Sequence, residues 1–303
     1  MTLEEFRTHR QQTINFYGQI SAADDHFVCL LPNGVCYAVG ANGSRQCEVS
    51  KWKELKQIFA GTEVTVGLSG DKTLFSTDRE IELKSAVLKG ITMATCLTAT
   101  AHDCAVVNDD GRITVLKLPD GESDPGQGYP MTSNIETVSR WDNVISIACG
   151  KGHIAALRTD GTVLAAGDGA LGQTDVSGWK NVVQITASDN FTAGLTESGH
   201  VLVTGTGSPE WKSLSEKTAA WRDIIYIDAS STHLVALTQG GTVLDTSDFR
   251  YMSSWKSMVM VAAGKGYTLG LHTSGKTYYS GQLPGKVPIR YKKSYVNFEK
   301  IMN

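Results

Sequence analysis

One unit recurs along almost the whole chain and constrains the fold more than any other feature. It is read most cleanly from Trp141 to Trp179. Within it, Val144 to Cys149, His153 to Arg158 and Thr162 to Ala166 are runs in which Val, Ile, Leu and Ala alternate along the backbone. Alternation sends successive side chains to opposite faces of a strand. Lys151-Gly152 and Asp160-Gly161 separate the runs. Glycine takes positive φ without a Cβ clash and aspartate tolerates it better than most residues, so both pairs are hairpin signals. The unit is therefore a small antiparallel meander, with a fourth, short strand expected near Thr174 to Val176. One such sheet cannot bury both of its faces, whereas copies stacked radially can.

Counting from the His position gives seven copies, at His26, Val64, His102, His153, Phe191, His233 and Tyr267. Twelve residues before these lie Trp52, Trp141, Trp179, Trp221 and Trp255, with Ile14 and Gly90 in the other two copies. The expectation is an all-β chain, a seven-bladed β-propeller of four-stranded antiparallel blades. It spans 14–303 as one domain, after an N-terminal extension at 1–13. Thr2 and Glu5 have capping-box spacing, which allows a short helix in that extension. The segments Ile14 to Ile20 and Tyr295 to Ile301 both look like the first strand of a unit, and pairing them in one blade would close the ring and remove exposed edges.

The motifs of the cleanest copy are Trp141-Asp-Asn143-Val144, Gly150 before His153 and Leu157, Asp160-Gly-Thr-Val163 and Gly172-Gln173. Parts recur at His26, Leu30, Gly34, Gly40, Gln46 and Trp52, and at His233, Leu237, Gly241 and Trp255. This pattern resembles the regulator of chromosome condensation repeat family, in its compact bacterial-style version with the Gly-Gln-x-x-Val-x-x-Trp ending at Gly172 to Trp179. The resemblance implies a seven-bladed propeller used mainly to bind other proteins. The founding member of that family exchanges nucleotide on a small nuclear GTPase through a wedge projecting from a blade. Other members are inhibitors, ubiquitin-pathway scaffolds or photoreceptors. No exchange-specific motif is matched here.

Composition narrows the classes further. A formal net charge of −3 with 19% charged residues argues against a general nucleic-acid binder. The six cysteines include no Cys-x-x-Cys pair. No apolar run approaches the length of a membrane span, and the first residues lack the apolar core of a leader. These features point to a reducing cytoplasm. Gly167-Asp-Gly169-Ala-Leu-Gly172 matches the dinucleotide fingerprint but lacks the helix whose N-terminus would meet a pyrophosphate. It reads as turn glycines, and no cofactor is expected. A histidine repeated at one position of a unit is there for the unit, so His26, His102, His153 and His233 read as structural, with no metal and no catalytic residues.

Departures from the repeat carry the candidate binding residues. Tyr129 and Asp124 lie in the long insertion around Leu118 to Ser139, Trp211 in a smaller one, and Phe249, Arg250 and Tyr251 in a shortened loop. A blade needs none of them where they stand, and Trp, Tyr and Arg dominate interface hot spots. The expected function is a non-enzymatic scaffold or adaptor that binds another protein through irregular loops on one rim, a monomer by itself. Two alternatives stand: a guanine-nucleotide exchange factor for a small GTPase, and a hydrolase with a site in the central channel.

Overall fold

A computed structural model of the chain describes residues 1–61, 63–71, 73–78, 96–97, 103–117, 135–205, 212–247, 252–284 and 295–296. The chain opens with helix α1 (Leu3–Tyr17) and continues as strands arranged in antiparallel sheets. Seven sheets follow in chain order among the described residues. The first holds β1 (Gln19–Ala22), β2 (His26–Leu30) and β3 (Cys36–Gly40). The second holds β4 (Leu55–Ala60), β5 (Thr65–Ser69) and β6 (Leu74–Ser76). The third holds β7 (Cys96–Leu97), β8 (Asp103–Val107) and β9 (Ile113–Lys117). The fourth is β10 (Val144–Cys149), β11 (His153–Arg158) and β12 (Val163–Gly167). The fifth is β13 (Val182–Ala187), β14 (Phe191–Thr196) and β15 (Val201–Gly205). The sixth is β16 (Ile224–Ala229), β17 (Leu234–Thr238) and β18 (Val243–Asp245). The seventh has four strands, β19 (Met258–Gly264), β20 (Tyr267–His272), β21 (Thr277–Gly281) and β22 (Tyr295–Val296).

The three-run meander of the sequence is thus observed. Among the described residues its fourth strand is observed only in the last sheet, and the other six sheets have three strands. After β12 the chain turns instead of pairing. Gly172 takes φ +80, and Asp175, Val176 and Trp179 donate their N–H groups to the carbonyls of Gly172, Thr174 and Val176. Amide groups satisfied this locally have nothing left to offer a ladder.

Two boundaries also move. The helix extends to Tyr17, past the expected end at residue 13, so Ile14 to Tyr17 are helical and not strand. Its start is the expected capping box, with Thr2 accepting from Glu5 N–H and the Glu5 carboxylate accepting from Thr2 N–H. The terminal segments pair in different sheets: β1 with β2, and β22 with β21.

Each sheet packs on the next through its first strand, and β1 packs on β19 and β20 of the seventh sheet. The hairpin glycine of one unit reaches the next. Gly161 takes φ +75, and its carbonyl accepts from Val182 N–H at 3.0 Å; Gly111 serves Val144, Gly34 serves Leu55 and Gly241 serves Met258 in the same way. A Cβ on Gly161 would stand 3.2 Å from the Asn181 backbone, so this glycine is needed both for its φ and for the close approach.

The core is divided among the gaps between sheets. Trp141 is buried with Ala105, Val107 and Ile113 of the third sheet and Val144, Ile154 and Ala156 of the fourth. The repeated tryptophan is a wedge between neighbours, as its position in the unit suggests. Gly194 and Gly270 on the middle strands lie directly against the rings of Trp179 and Trp255, leaving no room for a side chain.

Candidate functional site

The repeated histidines form one type of contact. His26, His153 and His233 are fully buried, and each places Nε2 against a threonine of the following sheet: Thr65 at 2.9 Å, Thr192 at 2.8 Å and Thr268 at 2.8 Å. The Thr65 and Thr192 hydroxyls donate onward to the carbonyls of Gln46 and Gln173, and Thr268 donates to the Asp245 carboxylate. A hydroxyl that donates onward accepts from the ring, so Nε2 carries a hydrogen in each; this fixes the neutral Nε2–H tautomer in His153 and His233, whereas the Asp25 carboxylate beside His26 Nδ1 can only accept. Burial pushes all three imidazoles below their ordinary range, His153 to about 4. The structural reading of these three residues is therefore observed; His102 lies outside the described residues.

Nδ1 differs from copy to copy. It meets the Asp25 carboxylate at 2.9 Å in His26 and the Ser230 hydroxyl at 3.1 Å in His233, and has no hydrogen-bond partner among the described residues in His153. Ser230, His233 and Asp245 have the composition of a hydrolytic triad. However, Ser230 is held in the turn Ser230 to His233, where its hydroxyl also accepts from Thr232 N–H. The histidine spends Nε2 on the same clasp as in the other sheets.

Side chains on the first strands cap the unpaired edge of the next first strand. Gln19 grips Ile58 with both amide atoms, its nitrogen donating to the carbonyl at 2.9 Å and its oxygen accepting from the N–H at 3.0 Å. Gln184 repeats this on Ile227. Two residues further along, Ser21 accepts from Ala60 N–H and Asp228 from Ala263 N–H at 2.8 Å.

These first strands enclose a cavity of about 210 Å³, to which six of the seven sheets contribute described residues. Helix α1 crosses one end, packing on β4, β13 and β19. Phe6 anchors it among Val183, Leu214 and Trp221, and Ile14 among Ile20 and Met260. Arg10 projects from the helix into the cavity, with its guanidinium carbon 5.6 Å from the centre of the Tyr226 ring. Its Nε–H is buried with no hydrogen-bond partner among the described residues. Asp228 lines the same cavity, and burial raises its carboxyl to about 6, against the opposing pull of its bonds to Ala263 and Ala229 and of the Arg10 charge. Asp24 and Asp189 stand at the other end, and burial and the Asp24 charge also push Asp189 upward. No described histidine lines this cavity, and no cluster of three metal-ligating side chains occurs among the described residues.

All six residues singled out in the sequence for binding, Tyr129, Asp124, Trp211, Phe249, Arg250 and Tyr251, lie outside the described residues. The channel pair Arg10 and Asp228 was not singled out. Gly167 to Gly172 has no helix after it; a Cβ on Gly167 would lie 2.5 Å from the Gly152 carbonyl, so this is a packing glycine.

Residues 144–173 match the regulator of chromosome condensation (RCC1) repeat model. The chain carries a regulator of chromosome condensation repeat. The matched stretch runs from β10 through the turn at Gln173 and so includes the His153 clasp. No curated protein matches the chain. Among solved structures, it is similar to the CRINKLY WD40 ectodomain of the Arabidopsis thaliana receptor kinase ACR4, at 12% identity and TM-score 0.61, over 89% of this chain and 96% of that one. It is also similar to the ectodomain of the Physcomitrella patens receptor kinase CR4, at 15% identity and TM-score 0.59, over 89% and 75%. Prp20p from Saccharomyces cerevisiae, whose structure was described with its binding to Gsp1p and histones, matches at 16% identity and TM-score 0.49, over 87% and 71%. The two ectodomains show the fold of this repeat chain, a β-propeller.

Proposed function

We propose that the chain is a seven-bladed propeller, closed by the packing of β1 on β19, that serves as a non-enzymatic, monomeric scaffold for another protein. One observation carries this reading. The repeated histidines, the side chains best suited to acid–base work, are buried and spent on clasps between sheets. That leaves recognition to loops held on a rigid frame. The working surface in this reading is Tyr129, Asp124, Trp211, Phe249, Arg250 and Tyr251. The setting we propose is cytoplasmic, supported by four free cysteines among the described residues; burial pushes the Cys29 and Cys36 thiols up to about 12. No described helix is long and apolar enough to cross a membrane.

The test is affinity capture from native lysate with tagged protein, followed by recapture with the Trp211→Ala, Phe249→Ala, Tyr251→Ala triple variant. A stoichiometric protein lost in the triple variant supports the surface; retention of every captured protein rejects it. A second reading, nucleotide exchange on a small GTPase, draws on the repeat match at 144–173. In that case, deleting Gly121 to Tyr129 abolishes exchange, and unchanged exchange removes the wedge.

A further inference from the structure

Two opposite charges line the channel cavity, and neither closes on the other. Arg10 brings a buried Nε–H with no partner among the described residues. Asp228 brings a carboxylate that lines the cavity and is held by the Ala263 and Ala229 N–H groups and the Thr186 hydroxyl. No ion pair joins them among the described residues.

We propose that the channel is a binding site for a small zwitterion of the free α-amino-acid class, its carboxylate on Arg10 Nε–H and its ammonium on Asp228. A simple cation would leave the guanidinium N–H orphaned, and a simple anion would face the Asp228 carboxylate. A molecule with both signs on neighbouring atoms satisfies both groups, and a buried charge is tolerated only when paired and hydrogen-bonded. The order along the axis agrees. Arg10 lies over the Tyr226 ring at the helix end, and Asp228 stands two residues along β16, roughly 6–7 Å nearer the mouth at the rise of a strand. Both signs are met at the mouth, where Lys265 lies 3.7 Å from Asp24, and Lys151 and Lys265 act on Asp189. Alanines 22, 60, 187 and 229 on the wall leave a smooth cavity of about 210 Å³, which suits small side chains.

Asp228 also sits where a neutral group would serve the fold. Ser21 makes the equivalent edge cap to Ala60 without a charge. A carboxylate in that role carries a burial penalty that the Ser21 hydroxyl does not, as expected of a group kept for a ligand.

The test is isothermal titration calorimetry on the full chain with free glycine, alanine and serine at millimolar concentration. Their amides and the deaminated acids acetate and propionate are the controls. The zwitterions bind, and each control binds at least tenfold more weakly, because it lacks one of the two charges. Asp228→Asn keeps an acceptor for Ala263 N–H, so it folds, melts higher than the native chain and loses binding at least tenfold. Arg10→Lys, which keeps the charge but removes Nε–H, does the same to binding; if it unwinds α1, seen as lost helical circular dichroism, Asp228→Asn decides alone. Absence of heat with all three zwitterions, equal binding of the controls, or undiminished binding by Asp228→Asn would overturn the proposal. The outcome is independent of recognition at the loops.

Discussion

His153 and Asp228 carry opposite pH signatures. The His153 imidazole titrates near 4 in the folded chain, against an ordinary value near 6.5. Between those values the unfolded chain binds more protons, so this residue's contribution is full above pH 6.5 and is lost as pH falls toward 4. Asp228 has the reverse sign. Its folded value near 6 lies above the ordinary 3.8, so it costs nothing below pH 3.8 and its cost is fully present above pH 6. Urea unfolding of Asp228→Asn should therefore show a gain on the order of 1–3 kcal/mol at pH 7.5 that vanishes below pH 4. His153→Gln should lose stability at pH 7.5, by roughly 1–3 kcal/mol for a broken buried bond to Thr192, and lose less at pH 4.5. Equal losses at both values would reject the assigned burial of the neutral ring. The histidines were legible in the sequence because they repeat. Their acceptors were equally available, since Thr65, Thr192 and Thr268 each follow the His position of the next copy. Arg10 and Asp228 were not legible, because one comes from outside the repeat and the other sits where other copies carry Ser21 or Thr186.

Helix α1 shows how an element outside the repeat acquires a role from packing alone. Its sequence is mostly polar, and only Phe6, Thr13 and Ile14 are buried. Its stop at Gly18, φ +92, lies directly before β1, so the helix is delivered across the channel without a linker. The capping spacing revealed where it starts, but nothing in the repeat revealed where it ends, because Ile14 mimics the apolar opening of a unit. Thr2→Ala removes the cap and should cost about 1 kcal/mol, read as a drop in unfolding midpoint. Truncating residues 1–17 should speed amide exchange on β4, β13 and β19, the strands the helix packs on most, while leaving β11 protected. Uniform loss of protection would mean that the helix is needed to hold the sheets together. The absence of a fourth strand from the described residues after β12 has a similar origin. A short strand is expected near Thr174 to Val176, but Gly172 and Gln173 tie the local N–H groups first, Gln173 Oε1 accepting from Leu171 N–H at 2.9 Å.

At the scale of the whole molecule, the first and seventh sheets meet at a seam. The Tyr267 hydroxyl lies 2.8 Å from the Ala23 carbonyl and 3.0 Å from the His26 carbonyl, and its ring packs on Phe27. Burial drives its phenol far above the ordinary range, so the hydroxyl remains a donor at all working pH. Tyr267→Phe keeps the ring and removes only the hydroxyl, and should cost about 1–2 kcal/mol in thermal or urea unfolding. A loss confined to the first and seventh sheets by hydrogen exchange would locate the damage at the seam, and a loss elsewhere would contradict it. The clasps themselves all run in one direction. Where they occur, histidine and glutamine reach forward, and Gly34, Gly111, Gly161, Gly199 and Gly241 each offer a carbonyl to the N–H that opens the first strand of the next described sheet. Through that glycine contact a unit is complementary to a copy of itself, in the manner of a head-to-tail subunit contact. A gene that duplicates such a segment makes a new unit whose neighbours already fit. Growth of the array needs no new interface, and it ends where Tyr267 finds the carbonyls of Ala23 and His26.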